Sequence, residues 1–222
     1  MSTTSKETQT DIAALYSSHI TEKMSRFQTI LAETGYSHLY IASGQIKFLF
    51  KDDRPHFFKS NAYFREWTPL NRRTDCYLHI EAGATKPRLL LLCVEDIWHT
   101  APQALPAGFE QALDIVEYSD LDSLLKSLNS GSGSTALVAE DNTLNVPENC
   151  WNPEPILNQI GYQRRWKTPY EQECVREANR LAAPAHHAAY TAFKAGLSER
   201  EICAAYLAVN NSSEYHLPYQ AT

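Results

Sequence analysis

"DCYLHIEAGATKPRLLLLCVEDIWH", residues 75–99, is the stretch on which the fold turns. Two apolar runs flank "AGATKP", and Gly83 and Pro87 bracket the break between them. Strand-length apolar runs joined by a short loop with glycine and proline predict a β-hairpin. The second run, Arg88 to Val94, is apolar at consecutive positions. That is the pattern of a strand covered on both faces, so helices are expected on either side of the sheet.

Outward toward the N-terminus, residues 11–33 place Ile12, Leu15, Tyr16, Ile20, Met24, Phe27 and Leu31 at three- and four-residue intervals. This spacing predicts an amphipathic helix, with Gly35 as its C-cap. "SHLYIASG" (37–44) follows as a strand, and an aromatic-rich, irregular segment fills 44–74. Toward the C-terminus, "DIVEYS" (114–119) reads as a strand and "DLDSLLKSL" (120–128) as a helix with Asp120 near its N-cap. "NSGSGS" (129–134) reads as a loop, "TALVAED" (135–141) as a strand and "PEPILNQIGYQRRW" (153–166) as a helix. With no internal repeat, this is one α/β domain with a mixed sheet.

A second element begins near Lys167. "TPYE" (168–171) offers a cap hydroxyl at Thr168, Pro169 at the first helical position and Glu171 to close a capping box. Cys174, Val175, Ala178, Leu181 and Ala182 form an apolar stripe, Pro184 is expected to kink or break the helix, and Gly196 ends it. Ser198 and Glu201 repeat the capping box ahead of Ile202, Ala205, Tyr206 and Val209.

Bulk properties exclude several classes. A formal charge of −6 with scattered Lys and Arg argues against nucleic acid as the main partner. The polar start, "MSTTSKETQTD", shows no signal peptide, and "LLLLCV" (89–94) is far too short to span a bilayer. Cys76, Cys93, Cys150, Cys174 and Cys203 are widely spaced and odd in number, which reads as reduced thiols in a cytoplasmic protein. Motifs for phosphate loops, H-E-x-x-H zinc helices and G-x-S-x-G elbows are missing. His186 and His187 are adjacent, point about 100° apart on a helix and cannot share an ion. His99, after a strand, reads as structural. Trp67, Trp98, Trp151 and Trp166 read as core or interface anchors rather than a stacking platform. Asp52 and Asp53, ahead of Pro55, fit an exposed turn.

Four stretches together resemble one family. "KTPYEQECVREANRLA" with the later "GLSERE", the motif D-D-x-P-x-x-F-K-x-N-x-x-F-x-x-W (52–67), D-x-W-H (96–99) and "HLPYQ" (216–220) are similar to bacterial-type Xaa-Pro dipeptidases (prolidases). These belong to the pita-bread metallopeptidases, together with aminopeptidase P and organophosphorus acid anhydrolases. The resemblance runs from about residue 12 to Tyr219. It implies a creatinase/prolidase-type N-terminal α/β domain over 1–163, with a mixed sheet flanked by helices. Residues 164–222 would be the first helices of a pita-bread catalytic domain. The family's two divalent metal ions, typically manganese, are bound by two Asp, one His and two Glu, all beyond the equivalent of residue 219. No metal ligand or catalytic residue is therefore expected here, and the chain alone is expected to be inactive.

The resemblance also gives Asp53 a role besides that of a turn residue. It matches an acidic residue that reaches the partner subunit's active site in a homodimer and meets the free α-amino group of an Xaa-Pro dipeptide. A carboxylate so placed rejects longer peptides. Tyr219 matches a tyrosine lining the family's substrate pocket, beside the plainer reading of a core or terminal tyrosine. The alternative to a dipeptidase portion is a stand-alone, non-catalytic module that dimerises or binds a peptide terminus, its two terminal helices exposing their apolar stripes.

Overall fold

The computed structural model describes residues 4–94, 103–128, 133–213 and 217, with side chains of 4–11 and 13 left aside. The chain divides into two units, Met1–Thr168 and Pro169–Thr222.

The first unit is built on a five-stranded mixed sheet. Its strands are β1 (His38–Ala42), β2 (Tyr77–Glu81), β3 (Arg88–Leu92), β4 (Asp114–Tyr118) and β5 (Thr135–Val138), in the order β4-β3-β2-β1-β5. The expected hairpin is β2–β3, antiparallel with Leu78 opposite Leu89, and Gly83 takes φ +82° in its turn. β1 runs antiparallel to β2, whereas β4 and β5 join the two edges in parallel. Helix α1 spans Thr4–Thr34, longer at its start than the apolar periodicity over 11–33. Short α2 (Ala62–Arg65), α3 (Leu121–Leu128) and α4 (Glu154–Gln163) complete the unit.

Strand alternation sorts the core into two faces. Tyr40, Ala42, Tyr77, Leu90 and Leu137 pack with Leu124 and Leu128 of α3 and with Leu144. Leu39, Ile41, Leu78, Ile80, Leu89 and Leu91 point the other way and are equally buried. The α1 stripe is also buried at Tyr16, Ile20, Met24, Phe27 and Leu31, as its spacing predicts. The helix ends where Gly35 adopts φ +75° and its N–H donates to the Leu31 carbonyl at 2.9 Å. Gln28 then fastens α1 to the hairpin turn. Its Nε2 donates to the carbonyls of Glu81 (2.8 Å) and Ala84 (3.2 Å), and its Oε1 accepts from the Gly83 N–H at 2.7 Å. Asp120 caps α3 as expected, accepting from the Ser123 N–H and hydroxyl, both at 2.8 Å.

The end of this unit is held by a polar node. Glu66 meets Lys23 of α1 (Nζ to Oε2, 2.8 Å) and Arg164 just after α4. His19 bridges the Glu66 carbonyl (Nε2, 2.9 Å) and the Thr168 hydroxyl (Nδ1, 2.7 Å). A carbonyl only accepts, so Nε2 carries the proton, and in the neutral ring Nδ1 accepts from Thr168. Arg26 adds a bond from Nη1 to the Trp166 carbonyl at 2.9 Å. Trp67 is fully buried beside the node, its ring edge-on to Phe27 and beneath the Lys23 ammonium.

In the second unit α5 (Pro169–Lys194) and α6 (Glu199–Val209) pack together. Of the kink or break expected at Pro184, the break does not occur: α5 is helical through that residue. Proline removes only the bond to the Arg180 carbonyl, and both residues are exposed, so solvent can satisfy the freed oxygen. Gly196 (φ +76°) ends the helix, with the Leu197 N–H returning to the Ala192 carbonyl at 3.2 Å. The Ser198 capping box forms, Glu201 accepting from the Ser198 N–H at 2.9 Å. His186 packs edge-on against Tyr206, the structural role expected of it. Val175, Leu181, Tyr190, Phe193, Leu197 and Val209 are exposed.

Candidate functional site

Residues 44–61 form a projecting loop whose base is fixed by the sheet. At the base, Gly44 accepts from the Asp75 N–H at 2.9 Å, and Ser43 accepts from the Asn61 N–H at 2.7 Å. Gly44 has φ +103°, and a Cβ there would lie 3.3 Å from the Phe58 ring, so glycine suits both the bend and the packing. Ser60 is buried and its hydroxyl donates to the carbonyls of Leu70 (2.8 Å) and Arg73 (3.2 Å).

Beyond that base the chain makes a narrow hairpin. Phe48 and Pro55 form an isolated antiparallel bridge, and the His56 N–H donates to the Lys47 carbonyl at 2.7 Å. At the tip Lys51 adopts φ +58°, and Asp52 Oδ1 accepts from the Arg54 N–H at 3.0 Å. Asp52 is therefore the turn-forming member of the acidic pair. Asp53 is exposed beside it. Phe50 is 90% exposed, and Ile46, Phe48 and Phe57 are also exposed around the same projection. Lys47 ties one side of the loop to Asp141, 3.0 Å away. The arrangement is a stiff, aromatic finger presenting a carboxylate to solvent.

Tyr219, His99 and Trp98 lie outside the described residues. Trp67 is core, Trp151 donates from Nε1 to the Ala139 carbonyl at 3.1 Å, and Trp166 is half exposed.

A second cluster was not legible in the sequence. His38 of β1 and His79 of β2 face each other with Nδ1 and Nε2 3.0 Å apart. The His79 ring also stacks on Tyr40, with centroids 4.4 Å apart and planes 13° from parallel. Burial, reinforced by His38 and Arg88, pushes the His79 pKa down to about 4. Glu81 stands directly opposite His38 in the β1–β2 register. The signal that could have found this group is the register itself, because the residues are 41 positions apart at their widest hydrogen bond.

The family's two-ion centre does not fit these residues. Among the described residues, His38, His79 and Glu81 are the one group of three or more donor side chains spaced to hold an ion. Two His and one Glu are not two Asp, one His and two Glu, and no step of metal-assisted hydrolysis follows from this part of the molecule.

The five-stranded mixed sheet with flanking helices is an α/β fold shared with aminopeptidase P. Aminopeptidase P of Escherichia coli in its low-pH form superposes with a TM-score of 0.52 at 18% identity, covering 86% of this chain and 49% of that one. A zinc-substituted form of the same enzyme in complex with product gives a TM-score of 0.50 at 17% identity, with the same coverages. Residues 14–162 match the family model described as Xaa-Pro dipeptidase, N-terminal domain, and the chain belongs to that family. The Xaa-Pro dipeptidase of Pseudoalteromonas atlantica is 37% identical over 210 residues, which is 94% of this chain and 47% of the relative. That of Edwardsiella ictaluri is 33% identical over 212 residues, 94% of this chain and 48% of the relative. The chain thus spans about half the length of the curated relatives it matches.

Proposed function

We propose that these residues serve, in the complete protein, a metal-dependent Xaa-Pro dipeptidase that hydrolyses dipeptides ending in proline. Residues 1–163 act as its N-terminal domain and 164–222 as the start of its pita-bread catalytic domain. Two divalent ions, manganese by family resemblance, supply the activated water from a ligand set outside these 222 residues. This portion alone is expected to be inactive. The working form is a homodimer in the cytoplasm, and five free thiols fit a reducing compartment.

The observation that carries the reading is the match over residues 14–162 together with the Asp53 finger. Asp53 is assigned to the substrate's α-ammonium group in the partner subunit's site, and Tyr219 to the pocket wall. An exposed carboxylate on a hydrogen-bonded hairpin can enter a neighbouring site without reorganising its own domain. The exposed phenyl groups around it supply apolar surface for that contact. Charge pairing at the amino end selects dipeptides, because a longer peptide would leave the Asp53 carboxylate desolvated and unpaired.

The test compares Mn2+-dependent cleavage of Ala-Pro and of an Ala-extended tripeptide by a complete protein containing this sequence, with and without Asp53→Asn. The expected result is a 10- to 100-fold fall in kcat/KM for the dipeptide, on the order of the 1.5–3 kcal/mol of a charge-assisted hydrogen bond. The tripeptide rate should rise, because the amide removes the unpaired carboxylate that excludes longer chains. Equal loss for both substrates, or none for either, would remove Asp53 from substrate selection. Cleavage by the 222-residue chain itself would overturn the expected inactivity.

A further inference from the structure

We propose that His38, His79 and Glu81 form a site for one borderline divalent transition-metal ion of the Zn2+ class, clamping β1 to β2. The inference is independent of the dipeptidase reading.

Sheet geometry makes the convergence. Antiparallel pairing puts Glu81 directly opposite His38, and His79 lies two residues before Glu81 on the same strand face. One ring nitrogen each of His38 and His79 and a Glu81 carboxylate oxygen all lie within 4.8 Å of one another. A tetrahedral ion about 2.0–2.1 Å from each donor needs those donors about 3.4 Å apart. The two imidazole nitrogens, at 3.0 Å, are already close to that spacing. Glu81 is exposed, and rotation of its side chain can bring its carboxylate to the third position. The remaining position would be left for water.

The electrostatics are consistent with this assignment. Glu81 supplies one negative charge. Arg88, opposite His79 in the β2–β3 register, is the opposing cation, and its Nε is paired with Asp114 Oδ2 at 3.0 Å. At present one proton lies between the two facing nitrogens. Ion binding requires that proton to pass to the other nitrogen of its own ring or to solvent. Two imidazoles and one carboxylate favour Zn2+, Co2+, Ni2+ or Cu2+ over the hard ions Mg2+ and Ca2+. Because the donors come from two strands, an ion held there stabilises the folded sheet over the unfolded chain.

The experiment titrates the chelator-treated 222-residue chain with Zn2+ by calorimetry and with Co2+ by visible absorption. Expected are one saturable ion per chain, a tetrahedral Co2+ spectrum, and an unfolding midpoint raised by several degrees with Zn2+. Glu81→Gln, an exposed change that leaves the fold intact by circular dichroism, should weaken binding at least tenfold. His38→Gln with His79→Gln should abolish it, and His186→Gln with His187→Gln should leave it unchanged. No saturable binding would mean that the imidazoles share a hydrogen bond and nothing more. Binding unaltered by Glu81→Gln would place the ion elsewhere. Either result overturns the site.

Discussion

Replacing Glu66 with glutamine removes the anion that Lys23 and Arg164 share at the node closing the first unit. The Lys23 side chain is only 7% exposed and that of Glu66 13%. Breaking such a pair on one side leaves an ammonium group buried without its countercharge, which costs about 3–5 kcal/mol. The amide oxygen still accepts a bond, and the Phe27 and Trp67 rings still face the ammonium, so the lower end applies. Arg164 is 41% exposed and its loss adds under about 1 kcal/mol. The expected total is about 3 kcal/mol. With a urea slope of about 2 kcal/mol per molar, the unfolding midpoint falls by about 1.5 M. Urea unfolding at pH 7, followed by tryptophan fluorescence, reads this directly. The double change Lys23→Met with Glu66→Leu should regain most of the loss, since an apolar pair of similar volume replaces the buried ions. A shift under about 0.3 M, or a loss abolished by 0.5 M salt, would mean that solvent screens the pair and the argument fails.

Two other outcomes follow from single residues. The His79 pKa is depressed to about 4, so between that value and the unfolded value near 6.5 the unfolded chain binds the extra proton. Stability contributed by neutral His79 is present above pH 6.5 and is lost as pH falls toward 4, by up to about 3 kcal/mol. Unfolding midpoints in EDTA at pH 7 and 4.5 should diverge less in His79→Asn than in the parent chain. At Gly133, φ is +138° and a Cβ would sit 2.9 Å from both Ser37 Cβ and Oγ. Gly133→Ala should therefore cost about 1–3 kcal/mol in a thermal or urea melt, from backbone strain and the contact together.

The parts of this fold legible in the sequence are those governed by neighbours along the chain. The α1 stripe, the β2–β3 hairpin, the Asp120 cap and the glycine stops at 35 and 196 each depend on residues within a few positions. Family-specific motifs extended that reading to the domain type. Pairings between distant segments were not legible. Nothing in the local sequence around His38 announces that its partner is His79, because only the β1–β2 register decides it. The same holds for Lys23 with Glu66, an ordinary-looking helix lysine that proves to be buried. At Pro184 the expectation of a break yielded to a position where solvent relieves its cost.

The edge pairing of β1 with β5 bears on synthesis. His38 lies beside Thr135, so that side of β1 has no neighbour until nearly a hundred further residues have been made. At about 5–20 residues per second that interval lasts about 5–20 s. The β1–β2–β3 meander is complete once Leu92 is made, and from then until β5 it carries the unpaired backbone margin of β1. During translation this margin is open to pairing with other nascent chains.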